Sequence, residues 1–162
     1  MKVANDILIP ELARLIAEGK EVRFTPSGVS MRPFIEGDRD AVILAPLNRE
    51  PRVGDILLAC VTNHQSSPTY VLHRLIRIED VLSTLDSRLS SLDSPLYILQ
   101  GDGNLSGEEQ CIRGDIIALV KHIETPSGRR KPLTRGRLWY ALKPLRKWLL
   151  KIYRHTILKT YN

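Results

Sequence analysis

The sequence predicts a mainly β protein: a β core over residues 21–124, a short N-terminal helix over 1–20, and a basic linker with an amphipathic helix over 125–162. Three observations lead there. From Glu21 to His122 the apolar residues fall in short runs, the texture of strands rather than of long helices. Four Gly-Asp pairs, at 37–38, 54–55, 101–102 and 114–115, punctuate those runs with turn chemistry. Helical spacing is strongest at the two ends of the chain.

The first helix runs from about Asp6 to Gly19. Ile7, Leu8, Leu12, Leu15 and Ile16 recur at helical spacing, Pro10 is expected in the first turn, and Gly19 can end it. Expected strands follow at Val22–Thr25, Arg39–Ala45, Asp55–Asn63, Thr69–Ile78, Leu96–Gln100 and Asp115–His122. Residues 82–94 repeat a Leu-Ser-x-Leu-Asp-Ser pattern, readable as a two-turn helix or a surface excursion, and carry no evident chemistry. After the turn-rich stretch Glu124–Pro132, a last helix should run from about Pro144 to Lys159. Leu145, Trp148, Leu149 and Ile152 would share one face beside a stripe of Lys143, Lys147, Lys151 and Arg154.

At 162 residues the chain fits one domain, and 43% hydrophobic with 26% charged residues is ordinary globular composition. No apolar stretch approaches the roughly 20 residues that span a bilayer. The start of the chain lacks the pattern of an export signal, so the cytoplasm is the expected compartment, with peripheral attachment to the inner membrane surface open. Cys60 and Cys111 lack metal-ligand spacing and lie in or beside apolar runs, which predicts free buried thiols and neither metal nor cofactor.

Charge is divided along the chain. Residues 1–124 hold 13 Lys and Arg against all 18 Asp and Glu, a net of −5; residues 125–162 hold 11 Lys and Arg and no acid. The tail therefore suits an anionic partner. Its helix can pack on the core with lysines in water, or lie on an anionic membrane surface. Nucleic acid fits less well, because no groove-reading or base-stacking motif accompanies the charge.

The run Phe24–Asp38 holds the most chemistry. A serine nucleophile needs a tight, fixed turn that exposes its hydroxyl and aims backbone N–H groups at the developing oxyanion. Gly28, two before Ser30, permits such a turn, and Pro33, three after, fixes the exit. Gly28, Val29 and Met31 are then the candidate turn and oxyanion residues around Ser30. Alone, Gly-x-Ser-Met-x-Pro reads more readily as a plain loop than as a nucleophile turn.

Its surroundings change the reading. Gly28-Val29-Ser30-Met31, with Gly37-Asp38 and the run 41–44 after it, resembles the nucleophile box of type I signal peptidases and LexA-type peptidases. Val53-Gly54-Asp55-Ile56 resembles the turn that opens the family's next strand. Tyr70-Val71-Leu72-His73-Arg74 matches its general-base strand, and Gly101-Asp102-Gly103-Asn104 its Gly-Asp-Asn box. These ordered boxes cover most of residues 24–120. The resemblance implies a LexA/signal-peptidase-like complex β-barrel core and a serine peptidase that processes a peptide or protein precursor through an acyl-enzyme.

Bacterial signal peptidases and LexA place lysine on the base strand; the endoplasmic-reticulum and archaeal branch places histidine. No lysine lies between Lys20 and Lys121, and the histidines there are His64, in an expected loop, and His73, in an expected strand. His73 is therefore the expected base, since a neutral imidazole accepts a proton near pH 7 without the desolvation a lysine requires. A carboxylate should fix its tautomer. Asp102, within its box, and Glu108, where the histidine branch tends to carry its acid, are the two leading candidates, and Glu109 is a third.

Two features depart from the signal peptidases. Gly28 stands where many have a serine, and the expected membrane anchor is missing, which argues against an ordinary secretory substrate. A self-cleaving LexA-like regulator would need a DNA-binding region and an Ala-Gly or Cys-Gly bond; only about 20 residues precede the core, and neither dipeptide occurs. A non-catalytic peptide- or membrane-binding module on the same fold is the other alternative.

Overall fold

The computed structural model describes residues 5–61, 69–80 and 95–160. Helix α1 (Asn5–Ala17) leads into strands β1 (Val22–Phe24), β2 (Ala41–Ala45), β3 (Ile56–Val61), β4 (Thr69–Glu79), β5 (Leu96–Gln100), β6 (Glu109–Cys111), β7 (Ile116–Glu124) and β8 (Arg130–Lys131). Helices α2 (Arg137–Ala141) and α3 (Arg146–Thr160) close the chain. The six expected strands are present, with their ends moved by a few residues. The His64 loop and the repeat at 82–94 lie outside the described residues.

Gly19 ends α1 as its conformational freedom allows. At φ 85° it takes the left-handed conformation, its N–H donates to Ile16 C=O (2.9 Å), and Lys20 N–H reaches back to Leu15 C=O (3.1 Å). The helix starts at Asn5, close to the expected point, and Pro10 is its sixth residue rather than part of its first turn as expected.

The strands form one curled antiparallel sheet in the order β1-β2-β7-β3-β4-β5-β6, with β8 added along β7. Central β3 is covered on both faces, which is why its sequence is an unbroken apolar run. Ile56 and Leu58 join a core with Ile9, Leu12 and Ile16 of α1, whereas Leu57, Ala59 and Val61 pack with Leu75, Tyr97 and Leu99. This period-two division of β3 makes α1 the lid of one face.

β6 and β8 were not legible beforehand. Glu109-Gln110-Cys111 and Arg130-Lys131 lack strand-like apolar patterning, and both become strands through pairing, with β5 and β7 respectively. Residues 125–131 are accordingly a hairpin rather than a linker. Its turn is tied by Gly128 N–H to Thr125 C=O (2.9 Å) and Arg129 N–H to Thr125 Oγ1 (3.1 Å). Cys111 is buried and Cys60 half-buried, both as free thiols.

α3 turns a different face inward from the one expected. Arg146 and Leu150 are buried and Leu149 and Tyr153 half-buried, while Leu145, Trp148 and Ile152 face outward. The anchor is polar: Arg146 Nη2 donates to the carbonyls of Asp102 (2.8 Å) and Asn104 (2.9 Å), and Tyr153 Oη donates to Glu36 Oε2 (3.1 Å). Apolar periodicity could not foresee a buried guanidinium.

Candidate active site

The Ser30 turn is closed by its own backbone. Gly28 has φ 91°, Asp38 N–H donates to Pro26 C=O (2.8 Å), and a Cβ on Gly37 would stand 2.0 Å from Gly28 O, so only glycine fits there. Arg32 N–H donates to Val29 C=O (3.2 Å), and Phe34 and Ile35 N–H to Met31 C=O (3.1 and 3.0 Å). Met31 and Ile35 send their side chains into the core beneath α1, while Val29 stays exposed at the rim. The turn is thus nailed down on both sides of the half-buried Ser30.

The segment 101–104 clamps this turn from the other side. Gly103 N–H donates to Ser30 C=O at 2.7 Å, and a Cβ on Gly103 would meet Val29 O at the same distance. Gly101 is closer still to Ser30 and also faces His73. A Cβ there would lie 2.5 Å from Ser30 O, 2.9 Å from Asn104 Nδ2 and 3.0 Å from His73 Nε2. The Ser30 backbone and the His73 ring therefore converge on one point, which a side chain at 101 would occupy.

His73 is the fifth residue of β4, opposite Leu57 of β3, and is buried. The β4–β5 register ends at Arg74 opposite Gln100, so Gly101 continues it where His73 needs room. His73 Nδ1 lies 2.9 Å from Glu109 Oε2. A carboxylate can only accept, so Nδ1–H is the donor in this contact, and Nε2, on the Ser30 side, is the nitrogen that a neutral ring offers as acceptor.

The carboxylate in contact with the His73 ring is thus neither of the two leading candidates. Asp102 is fully buried and bound to buried Arg74, Nε to Oδ1 at 2.8 Å and Nη2 to Oδ2 at 2.7 Å. Arg74 Nη1 adds bonds to the carbonyls of Gly54 (2.8 Å) and Thr134 (2.7 Å), and Asp102 C=O accepts from Trp139 Nε1 (2.8 Å) and Arg146. Asp102 therefore ties the box that clamps Ser30 to the C-terminal segment. Removing one partner of such a buried pair costs about 3–5 kcal/mol. Glu108 pairs with exposed Arg77 at 3.1 Å. Along an extended chain successive side chains alternate, so one of the two adjacent glutamates turns to His73. Register decides which: Glu109 pairs with Leu99, and Leu99 with Leu75, two residues from His73.

Sequence reasoning named Glu109 only as the third candidate, and gave no separate part to Arg74, Asn104, Trp139 or Arg146. Arg74 beside His73 and opposite Gln100 was the one local signal, a charge inside an apolar strand. Phe34 of the Ser30 loop contacts both the Arg74 guanidinium (5.2 Å) and Trp139 (5.9 Å, edge-on). Burial and the nearby Asp102 raise the Tyr140 phenol, so it remains a donor to Asp102. Burial, with Asp115 behind it, pushes the Cys111 thiol up to about 12, which leaves it protonated and chemically quiet.

Ser30 and His73 line the same cleft, of about 160 Å³, together with Gly28, Met31 and an apolar wall that includes Ile9, Phe24, Leu58 and Tyr70. A space of that order accommodates one apolar group of about benzene size. Among the described residues, no group of three His, Cys, Asp or Glu side chains is arranged to hold a metal. Compared with protein-family models, curated proteins and solved structures, the chain finds no match in any of the three.

Proposed function

We propose that this chain is a serine endopeptidase of the signal-peptidase and LexA kind, with Ser30 as nucleophile, His73 as base and Glu109 as orienting acid. The observation that carries the reading is the meeting of the His73 ring and the Ser30 backbone at Gly101, with Nδ1 already committed to Glu109. The ordered boxes around Ser30, His73 and Asp102 add to it through their resemblance to that family.

In this mechanism Ser30 Oγ attacks the scissile carbonyl carbon and its proton passes to His73 Nε2. Glu109 stabilises the imidazolium, and N–H groups of the Gly28–Met31 turn receive the oxyanion. Collapse breaks the C–N bond as His73 hands its proton to the leaving amine. Water then attacks the acyl-enzyme, giving one proton to His73, which returns it to Ser30 as the acid departs. The apolar cleft takes one side chain of an extended peptide or protein precursor.

Labelling by a fluorophosphonate probe tests the assignment. Wild type should label, with labelling lost in Ser30→Ala and reduced on the order of 10²-fold or more in His73→Ala. Equal labelling of all three forms overturns the reading. No labelling of folded wild type leaves the non-catalytic binding module in its place.

A further inference from the structure

The outward side of α3 is a feature the proposed chemistry leaves unused. Trp148, Leu145 and Ile152 are 62%, 52% and 43% exposed. At three- and four-residue spacing they form one apolar stripe. Lys147, Lys151 and Arg154 run along one flank of it, all exposed, and Lys143 and Leu145 stand in the turn just before the helix. From Thr125 to Asn162 the chain contains no acidic residue. The opposite side is fastened to the core by buried Arg146, Leu150 and the Tyr153–Glu36 bond, so the stripe is held out in a fixed orientation.

We propose that this face of α3 docks on an anionic lipid bilayer, with Trp148, Leu145 and Ile152 at the headgroup–acyl boundary and the basic flank on the lipid phosphates. Charge selects the occupant. A second copy would bring the same 11 Lys and Arg against this helix, and a nucleic acid would offer no apolar layer to the stripe. A bilayer surface presents negative charge and hydrocarbon together, in the order a helix lying in its plane requires. Among the described residues no helix is long and apolar enough to cross a membrane, so attachment through α3 is in-plane. The inference concerns binding alone and stands apart from the peptidase reading.

The test is flotation of the full chain with vesicles of phosphatidylcholine alone or with about 30 mol % phosphatidylglycerol, at low and high salt. Wild type should float with the anionic vesicles, be released by salt, and show a blue shift of tryptophan emission that Trp148→Ala abolishes. Each cation near the surface contributes about a fivefold gain. Lys147→Gln with Lys151→Gln should therefore weaken binding on the order of thirtyfold, and Trp148→Ala with Ile152→Ala should also weaken it. All four positions are exposed, so melting temperatures should hold. The proposal is overturned by equal binding to both vesicle types, by equal binding of wild type and either double variant, or by no flotation. Self-association or nucleic-acid binding in the absence of flotation would assign the face to that partner instead.

Discussion

Replacing Gly101 by alanine probes the geometry at its narrowest point. The new Cβ would stand 2.5 Å from Ser30 O, whereas ordinary contact begins at 3.4 Å, so the two must separate by about 0.9 Å. Ser30 C=O cannot retreat alone, because it accepts the Gly103 N–H at 2.7 Å. On the other side the methyl would stand 3.0 Å from His73 Nε2, so both residues of the proposed dyad are pushed by one substituent. Misplacing reacting groups by about 1 Å costs on the order of 10²-fold in rate. Overpacking should lower stability by about 1–3 kcal/mol, and folded protein should remain for assay. The assay is the second-order rate of fluorophosphonate labelling, with thermal melting alongside. Gly114→Ala is the control, since a Cβ there meets nothing within 4 Å. Folded Gly101→Ala that labels within about threefold of wild type would refute the convergence of Ser30 and His73 on this point.

Two further predictions separate neighbouring roles. Glu109→Ala should slow labelling on the order of 10²-fold by releasing His73 Nδ1, whereas Glu108→Ala, which removes only one of two partners of exposed Arg77, should leave it unchanged; equal effects would contradict the assignment. Burial alone would raise the Asp40 carboxyl, but Arg39, Lys131 and the Glu36 N–H outweigh it and hold it below the usual aspartate range. A depressed carboxylate adds stability that is fully present above the unfolded value and lost as pH falls through the folded one. The urea-unfolding gap between wild type and Asp40→Asn should therefore be flat above about pH 5 and close toward lower pH; a gap that widens on acidification would contradict this.

Legibility followed the range of the interactions involved. β3 and the end of α1 could be read because apolar runs and a Gly19 cap act over a few residues. The same holds for the Ser30 turn, whose Gly28 and Gly37 answer constraints within one loop. The hidden elements were those defined by the segments they meet rather than by an apolar pattern of their own. β6 and β8 are strands by virtue of their neighbours, and α3 is turned by a buried arginine bonded to carbonyls more than 40 residues away.

The acid at His73 shows the division best. Glu108 and Glu109 are the same residue type, adjacent in the chain, and local chemistry cannot choose between them. The register of three strands does, because a shift by one position turns every side chain to the opposite face. What the sequence by itself determined was the mainly β class, the turn around Ser30 and His73 as its strand-borne histidine. Only the tertiary structure decided that Glu109 meets that histidine, that Asp102 belongs to Arg74, and which face of the last helix looks outward. Those outcomes rest on hydrogen-bond register and buried charge pairing, which act between segments far apart in the chain.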